Sequence, residues 1–102
     1  MIFDKYRSLR RAALRVAYDN GMINRYQTEE QFLDGAEEAV GADGVYNADL
    51  AAIDAALASL TSQELDDLCS GGEEEKYAVL AKFDRDLGEK IDGILDDIFD
   101  AP

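Results

Sequence analysis

The chain contains no histidine and no tryptophan, and its 102 residues include one cysteine and one proline. Without histidine a Ser–His or Cys–His nucleophile pair cannot form, and the commonest metal ligand is missing. The sequence also lacks the glycine-rich loops that bind phosphates and the paired histidines of zinc proteases. We therefore expect neither an enzyme nor a bound cofactor. The single cysteine, Cys69, cannot form an internal disulfide and is interpreted as a small buried hydrophobic residue.

Long apolar stretches are missing too. No run approaches the ~18 residues that a membrane-spanning helix needs, and the N-terminus lacks the apolar core of a secretory signal. The proline is Pro102, so no proline interrupts a helix. These features favour one cytoplasmic domain over residues 1–102, with a single modest core.

Basic residues are scarce and unevenly distributed. The chain has 10 Lys and Arg against 23 Asp and Glu, a formal net charge of −13. Residues 1–25 contain six basic and two acidic residues, a net charge of +4, whereas residues 26–102 contain four basic and 21 acidic residues, a net charge of −17. An acidic excess of this size repels nucleic acids and anionic membranes and attracts basic protein surfaces. We expect no direct nucleic-acid binding and no membrane contact.

Apolar spacing along the chain is typical of amphipathic helices. The predicted helices cover residues 2–19, 28–40, 48–60 and 61–69, a segment from 73, and the C-terminal segment. Thr28 with Gln31 and Thr61 with Glu64 form capping boxes, and Asn47 is the expected N-cap of the helix at 48–60. The prediction is an all-α bundle of five or six short helices with no significant sheet, in which the alanine-rich helix at 48–60 is central.

The C-terminal segment separates apolar and acidic residues most clearly. On a helix of ~100° per residue, its large apolar side chains share one side: Leu87, Ile91, Ile94, Leu95, Ile98 and Phe99. A column of carboxylates shares the other side: Asp86, Glu89, Asp92, Asp96, Asp97 and Asp100. In the same count Asp84 points towards the core, where an unpaired carboxylate is unfavourable. We therefore predict a helix break or an N-cap within residues 84–88.

Calcium is the metal that acidic clusters most suggest. An EF-hand loop requires the pattern D-x-[DN]-x-[DN]-G-x5-E. The run that starts at Asp84 has Arg85 at its second position and Gly88 at its fifth, and the run that starts at Asp43 has Val45 at its third. Neither run matches, and we predict no metal site.

Three acidic clusters are candidates for a partner-binding surface: Glu30, Asp34, Glu37 and Glu38; Glu73, Glu74 and Glu75; and Asp86, Glu89, Asp92, Asp96 and Asp97. One interpretation is that they form a solvated face that keeps a small protein in solution. The other is that their carboxylates replace nucleic-acid phosphates and bind the basic groove of a nucleic-acid-binding protein. The charge exceeds the magnitude of ~2–8 that solubility requires of a small domain.

The basic first helix departs from a uniformly acidic surface. Arg10 falls within its apolar arc, and we expect the stem of this side chain to pack while the guanidinium reaches a carboxylate on another helix. A ligand-binding arginine is the alternative. For the helix as a whole, internal pairing with the acidic helices is favoured over a second, separate contact.

The stretch from Asn47-Ala-Asp-Leu-Ala-Ala-Ile-Asp to Cys69-Ser-Gly-Gly and the closing Ile94-Leu-Asp-Asp-Ile-Phe resemble short reading frames of phages and mobile elements. As a short, histidine-free acidic chain, the protein is similar in type to phage-encoded inhibitors that mimic nucleic acid, such as anti-CRISPR and anti-restriction proteins. The resemblance implies an inhibitor that occupies a nucleic-acid groove or blocks a protein partner in a bacterial host cell. The alternative is a small structural or adaptor module, such as a homodimer joined by an apolar helix edge, whose acidic face serves only solvation.

Overall fold

Helix-forming patterns account for most of the chain. A computed structural model describes residues 2–23, 27–41 and 48–100, and these residues contain helices and turns but no strand. The helices in these ranges are α1 (Ile2–Lys5), α2 (Arg7–Asp19), α3 (Glu29–Gly41), α4 (Leu50–Ala58), α5 (Ser62–Ser70), α6 (Glu73–Leu80) and α7 (Arg85–Phe99). The all-α prediction is confirmed. The predicted number of five or six helices is too low, since seven occur in the described residues.

The additional helix arises because the predicted helix at 2–19 is divided at Tyr6. The backbone of Tyr6 (φ −108°, ψ 81°) is not helical, and α2 begins at the next residue. A new helix start leaves backbone N–H groups without intrahelical partners. One of them, the N–H of Leu9, donates to Asp54 Oδ1 of α4 at 2.8 Å. A carboxylate from another helix thus caps α2, which explains why the division is tolerated.

Both predicted capping boxes are confirmed, at the starts of α3 and α5. The N–H of Thr28 donates to Gln31 Oε1 at 2.9 Å, and the N–H of Gln31 donates to Thr28 Oγ1 at 3.2 Å. Thr61 and Glu64 exchange the same two bonds at 2.9 and 3.1 Å. Each box satisfies two amide groups that the first turn of the helix cannot bond internally.

α4 is shorter than the predicted helix at 48–60. It begins at Leu50, and Asp49 precedes it without a side-chain capping bond. Instead the Asp49 carboxylate accepts from Lys90 Nζ at 3.1 Å. The predicted N-cap, Asn47, lies outside the described residues, as do residues 24–26 of the first connector and 42–46 of the second.

The break predicted within residues 84–88 is confirmed at Asp84. α6 ends at Leu80, and Asp84 is the N-cap of α7, with its side chain accepting from the N–H of Leu87 at 3.1 Å. The carboxylate therefore meets a backbone donor instead of the core. A Cβ placed on the buried Gly88 would lie 3.4 Å from the carbonyl oxygen of Leu80. This glycine lets α7 approach α6 closely.

α2 and α7 supply much of the core. The buried residues of α7 include Ile91, Ile94, Leu95 and Ile98, as its predicted apolar face requires, although Phe99 is 49% exposed at the end of the helix. α2 packs against α1, α3, α4, α5 and α7, whereas the main neighbours of α4 are α2 and α7. The prediction that α4 is central is therefore wrong. The small residues of α2 explain its position, because buried alanines at 12, 13 and 17 let neighbours approach.

In the part of the chain that the structure describes, no helix is both long enough and apolar enough to cross a membrane.

Candidate functional site

The acidic residues of α6 and α7 form the strongest candidate site, which we call the acidic surface: Glu73, Glu74, Glu75, Asp84, Asp86, Glu89, Asp92 and Asp96. The turn capped by Asp84 folds α7 back against α6, and the close approach at Gly88 holds the two helices together. Two of the three predicted clusters are thereby brought to neighbouring helices.

Glu73, Glu74 and Glu75 occupy the first turn of α6 and are exposed. Gly72 precedes them and provides no side-chain cap; a Cβ added to it would lie 2.9 Å from Glu75 Oε2. The Glu75 carboxylate therefore folds back over the start of the helix. Negative charge is favourable there because the N–H groups of the first turn carry partial positive charge. Local sequence thus places three carboxylates at this position with little strain.

A lysine of α6, Lys76, connects this helix to the column of carboxylates on α7. Lys76 Nζ lies 2.6 Å from Asp92 Oδ1, and both side chains are about one quarter exposed (24% and 27%). This oxygen is shielded from solvent, and the ammonium is its partner among the described groups. The hydrogen bond to Asp92 raises the pKa of Lys76, and the charges of Asp92 and Asp96 raise it further. Asp92 is therefore a structural residue as well as a member of the column.

The remaining carboxylates of the α7 column differ in whether they have an internal partner. Asp86 and Asp96 are exposed, and neither carboxylate forms an ion pair or hydrogen bond with a described residue. Glu89 accepts from Arg85 Nε at 3.2 Å, in a pair that is 90% and 67% exposed. Asp97 is half-buried and already has an interaction partner. The predicted column is thus a mixture of free and internally paired carboxylates.

A groove runs between α6 and α7 within the acidic surface. Its volume is about 390 Å³, and apolar side chains on its walls include Tyr77, Leu80 and Phe83. Asp84 and Glu89 also line it. Tyr77 is 55% exposed, whereas Val79 and Leu80 are the buried residues of α6. The spacing of α6 alone does not reveal this groove, which requires both helices.

The predicted cluster on α3 does not join the acidic surface through any hydrogen bond or ion pair among the described residues. Glu30, Asp34 and Glu38 are exposed along α3. Glu37 is half-buried, and its Oε1 accepts from the backbone N–H of Ile2 at 3.2 Å. This carboxylate fastens α1 to α3. Because α3 packs against α7, we treat the α3 row as a second acidic row on a different helix.

The basic residues of the acidic segment 26–102 are all paired internally. All four basic residues of segment 26–102 pair with carboxylates: Lys76 with Asp92, Lys82 with Glu64, Arg85 with Glu89 and Lys90 with Asp49. Hydrogen bonding to Lys82 and to the backbone of Thr61 lowers the pKa of Glu64. The exposed carboxylates of Glu73, Glu74 and Asp86 are left without a cation among the described residues.

The basic helix α2 pairs with the rest of the protein less than expected. Arg15 Nη1 lies 2.5 Å from Asp66 Oδ1 of α5, and Arg11 Nη2 donates to Ser62 Oγ at 2.9 Å. Arg7 and Arg10 form no ion pair with any described residue. Arg10 is half-buried, as its packed stem requires, but the expected carboxylate partner is not found in the described residues. Internal pairing of the basic helix is therefore partial.

Cys69 is half-buried instead of fully buried, and it packs against the core. Its Sγ lies 3.7 Å from the carbonyl oxygen of Ala12. Burial raises the pKa of the Cys69 thiol to about 12, and the nearby Arg15 opposes this shift only in part. The described residues contain no group of three or more Cys, Asp or Glu side chains arranged to hold a metal ion.

Comparison of the chain with known protein families, with curated proteins and with solved structures found no match in any of the three.

Proposed function

We propose that the protein is a non-enzymatic inhibitor of the phage-encoded, anti-CRISPR-like type that blocks a nucleic-acid-binding complex in the cytoplasm of a bacterial host. Its acidic surface on α6 and α7 mimics nucleic acid and occupies the basic groove where that complex holds DNA or RNA. This activity requires binding alone, without a catalytic group or a cofactor.

The observation that carries the proposal is the uncompensated charge of the acidic surface. Every cation of segment 26–102 already has a carboxylate partner, so the exposed carboxylates of Glu73, Glu74 and Asp86 are not neutralised within the described residues. Such a surface is complementary to a groove lined by Lys and Arg, which accelerates association and selects the partner.

The groove between α6 and α7 is a second feature that supports the same proposal. Charge complementarity contributes more to specificity and on-rate than to affinity, whereas buried aromatic anchors contribute most of the binding free energy. Tyr77 is an exposed aromatic residue beside the carboxylates of Asp84 and Glu89. Lys76 Nζ lies over one face of the Tyr77 ring, 5.7 Å from its centroid, so a cationic side chain of the partner would meet the carboxylates and the other face of the ring.

The test is capture of the target by tagged protein from nuclease-treated bacterial lysate, with elution in steps of increasing salt. We expect a nucleic-acid-binding complex that is released at moderate salt, because screening weakens contacts between exposed charges. Added DNA or RNA should then compete with the protein for the purified complex, and the protein should inhibit its activity.

The informative variant is Glu74→Lys combined with Asp86→Lys. Reversal of Asp92 or Asp97 is unsuitable, since Asp92 pairs with Lys76 and Asp97 also has a partner. Asp34→Lys combined with Glu38→Lys is the matched control, because it changes the net charge equally at exposed positions of a different helix, α3. Capture and inhibition should be lost in the first variant and retained in the second. Equal behaviour of the two variants, or a target that binds no nucleic acid, would contradict the proposal.

The alternative is a structural or adaptor module, a homodimer joined through an apolar helix edge. Its support is Phe99, which leaves an apolar side chain half exposed at the end of α7. However, the other large exposed apolar residues of the described part, Tyr18 and Tyr77, lie on two different helices. Recovery of the protein alone in the capture experiment, with a dimer in sedimentation that persists at high salt, would favour this alternative.

A further inference from the structure

The outer face of α2 carries a groove of about 740 Å³ that the acidic surface does not explain. Four arginines line it, Arg7, Arg10, Arg11 and Arg15, and we call it the arginine groove. The bend at Tyr6 turns α1 relative to α2, and Phe3 and Asp4 of α1 contribute to the wall. The carboxylates of Asp4 and Asp19 also line the groove, so its lining carries four cations and two anions in a protein with a net charge of −13.

The arginines of this groove retain most of their hydrogen-bonding capacity. Arg7 and Arg10 form no ion pair with a described residue. Arg11 and Arg15 are fastened at one nitrogen each, by Ser62 and Asp66 of α5. A guanidinium has five N–H donors, so both keep donors for a ligand after these bonds are made. Fastening also reduces the conformational entropy that the two side chains lose when a ligand binds.

The spacing of the arginines matches an extended peptide. Arg7, Arg11 and Arg15 are four residues apart, which is ~6 Å of rise between successive members along a helix. Alternate side chains of an extended chain share one side and are ~6.6 Å apart. Guanidinium groups bind carboxylates through paired hydrogen bonds. An extended segment with carboxylates at every second residue can therefore place one carboxylate near each of the three arginines.

A nucleic acid fits the same groove less well. Successive phosphates of one duplex strand are ~3.4 Å apart along the axis, so only every second phosphate could meet an arginine and the phosphates between them would be left unpaired. A long polyanion is also repelled by the net charge of −13, whereas a short segment with three carboxylates meets much less of that repulsion. Leu14 and Tyr18 add apolar surface to the groove, which suits side chains that stand between the carboxylates.

We propose that the arginine groove binds an extended acidic peptide segment of another protein, with carboxylates at alternate residues along α2. This site is independent of the acidic surface, which lies on α6 and α7. The protein thus has two contact surfaces of opposite charge.

The test uses a fluorescein-labelled peptide of 12 residues in which Glu and Ser alternate, titrated with the full chain and followed by fluorescence anisotropy. We expect saturable binding that weakens at least tenfold in Arg7→Glu. The matched control is Arg85→Glu, which makes the same charge change at another exposed arginine and should alter binding less than twofold. Circular dichroism and thermal melting establish that both variants fold.

Two further probes make the proposal specific. A peptide with the same composition, six Glu followed by six Ser, should bind at least threefold more weakly than the alternating peptide. A single-stranded oligonucleotide of equal charge should also bind more weakly. Absence of binding by the alternating peptide, or equal losses in the two arginine variants, would overturn the proposal.

Tighter binding of the oligonucleotide would identify the groove as a nucleic-acid site instead. Self-association in sedimentation that Arg7→Glu abolishes would identify a second copy as the occupant. Either result overturns the acidic-peptide assignment. Peptide binding is measured without the complex that the acidic surface is proposed to inhibit, so failure here is distinguishable from failure of the proposed inhibitor function.

Discussion

The acidic surface of α6 and α7 carries unpaired negative charge. The arginine groove of α2 carries unpaired positive charge. In the acidic part of the chain every cation has a carboxylate partner, and carboxylates are left over. On α2, Arg15 has a carboxylate partner in α5, while Arg7 and Arg10 have none among the described residues. The chain therefore carries unpaired charges of both signs on different helices.

This difference is informative because the unpaired charges could have neutralised each other. Isolated surface ion pairs stabilise proteins by only ~0–1 kcal/mol, so folding alone exerts little pressure to form them. Segregation does, however, produce two local fields of opposite sign, each able to attract a complementary partner. The stability of the fold therefore does not account for this distribution of charge, and the two proposed contacts would each use one of the fields.

The largest expected effect is on the reactivity of Cys69. Its Sγ lies against Ala12 of α2, so its rate of alkylation indicates whether α2 stays packed against α5. Burial raises the pKa of this thiol from 9.0 to about 12. The raised pKa lowers the thiolate fraction at pH 8, and the higher nucleophilicity of a more basic thiolate offsets part of this effect, so alkylation should be roughly 30-fold slower in the native protein than in denaturant. A thiol reagent followed by mass spectrometry measures both rates. Comparable rates would show that the basic helix detaches readily.

Lys76→Glu should disrupt the acidic surface more than any other single change of its cations. It removes the ammonium that lies 2.6 Å from the shielded Asp92 Oδ1 and adds a carboxylate in its place. Loss of one partner from a fully buried pair destabilises by ~3–5 kcal/mol. We expect about 2 kcal/mol here, because both side chains are about one quarter exposed. Chemical denaturation measures the change.

The matched control is Arg85→Glu, which breaks a highly exposed pair and should change stability by less than about 0.5 kcal/mol. Equal losses in the two variants would show that bulk charge repulsion, and not the Lys76–Asp92 pair, governs stability in this region.

The same pair predicts a dependence on alkaline pH. Asp92 raises the pKa of Lys76 in the folded protein, so the folded state holds this proton more tightly. The stabilisation is complete below the ordinary lysine pKa of 10.5 and is lost as the pH rises through the folded value. Cys69, whose pKa is also raised, loses its contribution between pH 9 and about 12. Denaturation at pH 8 and pH 11 in a Cys69→Ser background separates the two, and an unchanged midpoint would contradict the role of Lys76.

Asp54→Ala should destabilise the start of α2, the helix that carries the arginine groove. The variant removes the carboxylate that accepts from the N–H of Leu9, and loss of a helix cap destabilises by about 1 kcal/mol. Asp54→Asn keeps an acceptor oxygen and should recover most of the loss. Asp34→Ala, on the exposed part of α3, is the control and should have little effect. If Asp54→Asn were as unstable as Asp54→Ala, the bond to Leu9 would not be the reason.

Features encoded within a few residues were predictable from the sequence. The boxes at Thr28 and Thr61 and the apolar side of α7 follow from local spacing. The N-cap at Asp84 follows from an incompatibility, since a continuous helix would direct a carboxylate into the core. Of the charge pairs, Arg85 with Glu89 is also local, because residues four apart are neighbours on a helix.

Features that depend on distant residues were not predictable. The division at Tyr6 needs Asp54, which caps Leu9 from 45 residues away. Arg15 and Asp66 are 51 residues apart, and nothing in the local pattern of either helix selects this pair. The acidic column of α7 was correctly placed on one side of its helix. Which of its members remain free was decided by packing, because α6 brings Lys76 to Asp92.

The smallest expected effect is that of Arg7→Ala on stability. This substitution tests whether the unpaired arginines contribute to folding. Arg7 is exposed and forms no ion pair with a described residue, so its removal should change the free energy of unfolding by less than about 0.5 kcal/mol. Arg15→Ala breaks the contact with Asp66 and should destabilise by up to about 1 kcal/mol. If both substitutions destabilised equally, Arg7 would serve the fold. If only Arg15→Ala does, Arg7 contributes a charge that folding does not need, which is what a contact surface requires.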